Sequence, residues 1–172
     1  MNSIERRKFI ESILYKSNKP IKGSIIGEKL GVTRQVIVKD IAILRAEGKE
    51  IIATPEGYLT TKNNNHLISK VIAVNHNSEN MQDELETIVK FGAIVKDVII
   101  DHSVYGEIKA MLMIKSLYDI DNFIKKINKN KAEPLLILTG GLHLHTILAE
   151  RQDIIDNVKK ELQNKNYLIN GE

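Results

Sequence analysis

Between Ser24 and Ile41 the chain reads SIIGEKLGVTRQVIVKDI, two short apolar-periodic runs separated by Gly31-Val32-Thr33. Few folds accommodate that pattern. Two helices joined by so short a turn must cross steeply and pack at once. The crossing needs a small residue where the backbones meet, and Gly27 supplies it. The turn needs a residue tolerant of positive φ, and Gly31 supplies that. Val32 plugs the angle between the helices, and Thr33 caps the second one. Ile37, Ile41 and Leu44 recur at i, i+4 and i+7, so this helix has one apolar stripe and one polar face.

The flanking residues complete a larger module. A helix over residues 3–16, capped by Ser3, carries Phe9, Ile10, Ile13 and Leu14 on one stripe, and Ser17-Asn18-Lys19-Pro20 breaks it. Ser24 is placed to cap the next helix. Gly48 ends the third. Ile51–Thr54 and Tyr58–Thr60, around Pro55-Glu56-Gly57, read as a hairpin. Three helices and a hairpin make a winged helix-turn-helix over residues 1–61. If its third helix enters a major groove, Arg34, Gln35, Val38 and Lys39 face base edges and Thr33 touches phosphate. The hairpin would be a wing whose tip follows the backbone or minor groove. Charge agrees with a polyanion partner, double-stranded DNA. Residues 1–62 hold 12 Lys/Arg against 7 Asp/Glu, a net of +5, whereas the remainder nets −2.

A polar stretch follows, and residues 62–66 are expected to be a linker. Residues 67–172 alternate strand and helix signals: a well-buried strand Ile68–Asn75, then a helix from a Ser78 cap with Met81, Leu85 and Ile88. Strands Ile94–Ile100 and Val104–Ile114 follow, joined at Asp101-His102-Ser103. Next come a helix from Asp119, strands Leu135–Leu138 and Leu142–Leu148, a helix from about Asp153, and a short last strand at Tyr167-Leu168-Ile169. The order βαββαβ with extensions predicts an α+β chain, whose second domain is an α/β sandwich of ferredoxin-like type.

Four of the five histidines fall in these elements. His143 and His145 sit two apart in a strand, so both leave the same face. His76 ends the first strand. Glu84, in the second turn of the next helix, shares a face with Met81 and Ile88, where a lone carboxylate is costly. One divalent ion held by His76, Glu84, His143 and His145 would account for all four. Three imidazoles and a carboxylate suit Zn²⁺, Ni²⁺ or Fe²⁺ better than Mg²⁺ or Ca²⁺. The same spacing also suits two ordinary polar strand residues. His102 reads equally as a ligand contact or as a turn residue.

Along essentially its whole length the sequence resembles a known family. The front module is similar to the biotin-repressor-type helix-turn-helix. Ala73-Val-Asn-His76, Asp101-His-Ser-Val-Tyr-Gly-Glu107 and Thr139-Gly-Gly-Leu-His-Leu-His-Thr146 resemble a three-histidine domain. Together they look like the nicotinate-responsive repressors of NAD-biosynthesis and niacin-uptake genes. The resemblance implies a dimeric repressor with nicotinic acid as corepressor and one transition metal per chain on His76, Glu84, His143 and His145. Nicotinate offers a carboxylate and a pyridine nitrogen. The amides of Gly140 and Gly141 could meet the anion, and His102 and Tyr105 could supply hydrogen bonds or stacking.

Other classes stay open: a regulator for which the metal itself is the signal, a metal-dependent hydrolytic enzyme with Asp101 or His102 as base, or a purely structural dimerisation domain. The absence of cysteine rules out disulfides and thiolate sites and suits the cytoplasm. No apolar run approaches the ~20 residues that cross a membrane, and the charged N-terminus is not a signal peptide.

Overall fold

Apolar side chains segregate into two separate cores in the computed structural model, which describes residues 1–61 and 66–169. They belong to two compact units, Met1–Asn64 and Asn65–Glu172. Of the expected linker, residues 62–65 lie outside the described residues.

The first unit contains helices α1 (Ser3–Lys16), α2 (Gly23–Leu30) and α3 (Arg34–Ala46), then strands β1 (Ile51–Thr54) and β2 (Gly57–Thr60). Ile10, Leu14, Ile26, Ile37, Ile41, Leu44 and Ile51 form its core. Each fully buried aliphatic side chain contributes about 1.5–3 kcal/mol. The α2–α3 crossing is as tight as expected. Val32 N–H donates to Gly27 O at 2.9 Å, and Gly31 takes the left-handed C-cap conformation. A Cβ on Gly27 would lie 2.6 Å from Val32 O. The hairpin runs in register from Ile51↔Thr60 to Thr54↔Gly57, and Ile21 bridges Tyr58 on its other side.

Two caps differ from expectation. Asn2, not Ser3, caps α1: its side chain accepts from Glu5 N–H at 2.9 Å, and Glu5 accepts from Asn2 N–H at 3.1 Å. That reciprocal pair satisfies two end donors at once, which Ser3 one residue later could not. Likewise α2 starts after Lys22, leaving Ser24 inside its first turn. The pairing of Ile21 with Tyr58 ends the extended segment there.

The second unit has β3 (Ile68–Asn75), α4 (Met81–Val89), β4 (Ile94–His102), β5 (Gly106–Ile114), α5 (Leu117–Asn130), β6 (Leu142–Ala149) and α6 (Gln152–Asn164). The order of elements is the expected βαββαβ with a helix added. All strand pairs are antiparallel in the order β3-β6-β4-β5, so β6 splits the unit formed by β3, α4 and β4. The second and fourth strands of this unit hold the centre of the sheet, where a ferredoxin-like sheet centres its first and third. Burial explains the choice: β6 is covered along most of its length, whereas the first four residues of β3 are exposed. Ile72, Val74, Val95, Leu112, Ile114 and Ile147 meet Leu85, Ile88, Ile120, Ile155, Val158 and Leu162 of the helices.

Several local expectations are corrected. β3 is an edge strand rather than a well-buried one, and Val71 is 51% exposed. Its apolar run spans both faces, and only Ile72 and Val74 reach the core. Leu135–Thr139 is a 3-10 turn, not a strand. Pro134 precedes it, and the carbonyls of Leu136 and Ile137 accept from Gly141 and Gly140. The β4–β5 turn falls at residues 103–105 because His102 Nδ1 accepts the Val104 and Tyr105 amides. Helix α5 begins at Leu117, two residues before Asp119, behind a Ser116 cap. Asn77 rather than Ser78 starts the next helical segment, a 3-10 turn that leads into α4 at Met81. Glu84 therefore lies in the first turn of α4, not the second. The last expected strand is a single bridge, Val74↔Leu168.

Candidate metal centre and nucleic-acid interface

Three elements converge at one end of the second unit. β3 delivers His76 just past its end, α4 delivers Glu84, and β6 delivers His143 and His145. All four side chains are buried, and Glu84 is fully so. His76 Nε2 lies 2.7 Å and His143 Nε2 3.4 Å from Glu84 Oε2, while His145 Nε2 lies 3.3 Å from Oε1. The ligand atoms of His76, Glu84 and His143 fit within 4.8 Å of one another. His145 falls outside that spacing and approaches only the other carboxylate oxygen, at 3.3 Å. Adjacent rings stand nearly perpendicular with centroids 4.9 Å apart.

The backs of the three rings decide what their fronts can do. His76 Nδ1 bonds Asn77 O at 2.7 Å, His143 Nδ1 bonds Gly141 O at 2.7 Å, and His145 Nδ1 bonds Asp97 O at 2.6 Å. A carbonyl only accepts, so each Nδ1 carries a proton. In the neutral ring, each Nε2 then presents a lone pair toward the carboxylate. Glu84 Oε1 makes no well-formed hydrogen bond, and His145 Nε2 approaches it at 3.3 Å. Lone pairs and a carboxylate facing one another in a dry site demand positive charge. Burial alone would neutralise Glu84, but the charge of His145 and bonds from His143, His145 and His76 hold its carboxyl well below the ordinary value. Burial likewise opposes charge on His76 and His145, yet Glu84 outweighs it and raises both. Either protons or a cation can supply the charge. A cation between His76, Glu84 and His143 would meet ligand atoms that lie within 4.8 Å of one another, so those three donors fit a transition metal.

Glycine makes this convergence possible. A Cβ on Gly141 would lie 2.6 Å from both Asn75 Oδ1 and His76 O, and its φ is +109°. Only glycine lets β6 start against the residue before the first histidine. Its amide is not free for an anion, however, and neither is that of Gly140. Both N–H groups are used within the preceding turn. An anion at these two amides would have to compete with those bonds. His102 and Tyr105 form a separate pair at the β4–β5 turn, with ring centroids 5.2 Å apart. The register Ile99↔Leu144 places that turn at the same end of the sheet as His143.

In the first unit, α3 buries Ile37, Asp40, Ile41 and Leu44. That leaves Thr33, Arg34, Gln35, Val38 and Lys39 exposed together on its N-terminal half. Thr33 occupies the N-cap position, but its side chain makes no capping bond. The hydroxyl is thus not committed to the helix. The hairpin turn carries Glu56 and no cation, a poor match to phosphate at the wing tip.

Comparison with known proteins follows the same division. Residues 6–59 match the HTH domain model and residues 69–171 match the 3H domain model. The chain is 41% identical over 165 residues to the probable transcription repressor NiaR of Thermotoga maritima, covering 96% of this chain and 94% of that protein. It is 38% identical over 159 residues to the transcription repressor NadR of Bacillus subtilis, covering 91% and 88%. The chain belongs to this family of HTH–3H transcription repressors. An uncharacterised protein of Methanothermus fervidus is 31% identical over 103 residues, which is 55% of this chain and 16% of that protein. Membership makes the chain a DNA-binding regulator rather than an enzyme, and it is an α+β protein as the sequence implied.

Two features of this family member escaped sequence reasoning. Arg6 reaches Asp40 at 2.5 Å, with Arg7 3.6 Å away, and these half-buried arginines on the buried Asp40 tie α3 to α1. An acid on the apolar stripe of α3, three residues after Ile37, was the signal. The second is Lys165 and Tyr167 gripping Asp83 at 2.7 and 2.9 Å, beside Glu84. The Tyr167 ring lies 5.1 Å from that of His76. Residues so far apart in sequence gave no local signal.

Proposed function

We propose that this protein is a cytoplasmic, homodimeric repressor of NAD-biosynthesis or niacin-uptake genes, with nicotinic acid as corepressor bound in the 3H domain. One divalent transition metal per chain, Zn²⁺, Ni²⁺ or Fe²⁺, is held by His76, Glu84, His143 and His145. Thr33 contacts operator phosphate, and Arg34, Gln35, Val38 and Lys39 read bases. His102 and Tyr105 contribute to the corepressor site from the nearby turn. Residues 1–61 and 67–172 act as reader and sensor, joined by residues 62–66. The observation that carries the sensor half is the set of three Nε2 atoms aimed at a buried carboxylate whose Oε1 makes no well-formed hydrogen bond. A metal held there would supply a Lewis acid that a pyridine nitrogen or a carboxylate could meet. Among the described residues no helix is long and apolar enough to cross a membrane.

Burial of the four ligands also favours a second reading, in which the metal itself is the signal. One experiment separates them. A DNA duplex selected from random sequence is titrated at fixed salt, because phosphate contacts make affinity steeply salt-dependent. The metal-loaded protein is measured with and without nicotinate or nicotinamide, and again after chelation. Corepression predicts tighter binding with nicotinate by about 1–3 kcal/mol, and reciprocal tightening of nicotinate by DNA. Equal affinity with and without nicotinate refutes it. A response to chelation alone then establishes the metal as the signal.

A further inference from the structure

Asp97 is buried to 1% exposure on the central strand β4, yet belongs neither to the ligand set nor to an ion pair among the described residues. It sits where the sheet loses its regular register. The β4–β5 ladder shifts between Val95 and Asp97, and the β4–β6 ladder shifts between Val95 and Ile99. In a regular antiparallel ladder, the amide of Thr146 would bond a backbone carbonyl of β4. Here Thr146 N–H donates instead to the Asp97 side chain, at 2.9 Å from Oδ1. The backbone carbonyl of Asp97 accepts from His145 Nδ1 at 2.6 Å. Side chain and main chain have exchanged tasks. The carboxylate closes the ladder, and the carbonyl, released from it, fixes a histidine. Both bonds are buried, where an unmade partner is costly.

We propose that Asp97 is a positioning residue for the three-histidine centre: by satisfying Thr146 N–H it frees its own carbonyl to hold His145 in the Nδ1–H tautomer, with Nε2 aimed at Glu84. The proposal rests on the metal reading above only for its consequence, not for the tautomer. For the tautomer, acceptor geometry rather than charge is what matters, so an amide should serve as well as a carboxylate. Asp97→Leu keeps the size and removes the acceptor, leaving Thr146 N–H to compete for the backbone carbonyl.

The test has two arms on the full-length protein. Heteronuclear NMR of the ring nitrogens, at a pH where His145 is neutral and without metal, reports its tautomer. Titration with Ni²⁺ against a chelator reports affinity. Wild type and Asp97→Asn should both show the Nδ1–H tautomer, and Asp97→Asn should keep Ni²⁺ affinity closer to wild type than Asp97→Leu does. Asp97→Leu should populate the Nε2–H tautomer and bind Ni²⁺ about ten- to a hundredfold more weakly, the usual cost of losing an orienting partner. An unchanged tautomer in Asp97→Leu overturns the proposal, as does an Nε2–H tautomer in wild type or Asp97→Asn. The Asn and wild-type arms can still overturn the proposal if Asp97→Leu does not fold, and Asp97→Ala then serves as the acceptor-free variant. A wild type that binds no Ni²⁺, Zn²⁺ or Fe²⁺ sinks the metal reading alone, because the NMR arm still judges Asp97.

Discussion

Gly27→Ala should destabilise the helix-turn-helix unit even though the same change usually strengthens a helix. Replacing glycine by alanine in a helix interior ordinarily contributes about 1 kcal/mol. Here the new methyl carbon would stand 2.6 Å from the carbonyl oxygen of Val32, a backbone atom that cannot rotate away. Relieving the clash means moving the α2–α3 turn by several tenths of an ångström. Overpacking of this kind costs about 1–3 kcal/mol. The shift also stretches the bond from Val32 N–H to Gly27 O, 2.9 Å long in the native turn, for a further ~0.5–1.5 kcal/mol. The net is a loss of about 2 kcal/mol, equivalent to roughly 10 °C in the midpoint of a domain this small. Urea titration of the full chain, read by NMR on the amides of Leu14, Ile26 and Ile41, isolates this unit from the other. The second unit's transition should not move. Unchanged or increased stability of the first unit would show that the crossing has slack, and the steric argument would be wrong.

The remaining expectations concern the two sites. Arg34→Ala and Lys39→Ala should each lose about 1–3 kcal/mol on a selected duplex and relax specificity at one position, whereas Thr33→Val, at the phosphate, should weaken all sequences alike. Undiminished affinity in Arg34→Ala/Gln35→Ala refutes base reading by this helix. Elemental analysis of protein never exposed to chelator should find close to one transition metal per chain, and none in His143→Ala/His145→Ala. Chelation should lower the thermal midpoint of the 3H unit only, and a midpoint indifferent to chelation counts against a resident metal. Gly141→Ala should weaken metal binding at least tenfold, since its methyl pushes β6 away from Asn75 and His76. Wild-type affinity in that variant would remove the close approach from the account.

Legibility followed the range of the interactions. The α2–α3 pair was readable because its signals, Gly27, Gly31 and the spacing of Ile37, Ile41 and Leu44, are all local and steric. The metal candidates were readable because histidines alternate on one strand face and a carboxylate on an apolar helix stripe is conspicuous. Caps were misplaced by one or two residues where Asn2, Asn77 and Ser116 competed with neighbouring serines or aspartates. The run Leu135–Leu138 has strand composition, but Pro134 and the closing Gly140-Gly141 pair turn it into a 3-10 coil. Strand order was hidden because composition cannot say which of two apolar strands is central. Asp97 and the grip of Lys165 and Tyr167 on Asp83 were invisible because they exist only once the sheet has formed.

The carbonyls behind the three histidines come from Asn77, Gly141 and Asp97, which lie on three separate stretches of backbone. Each ring is a short rod between the centre and the main chain. A change in preferred coordination number would move three stretches of polypeptide rather than three side chains. Ions of similar charge but different geometry, such as tetrahedral Zn²⁺ and six-coordinate Ni²⁺, should therefore draw the same sequence into measurably different backbone shapes.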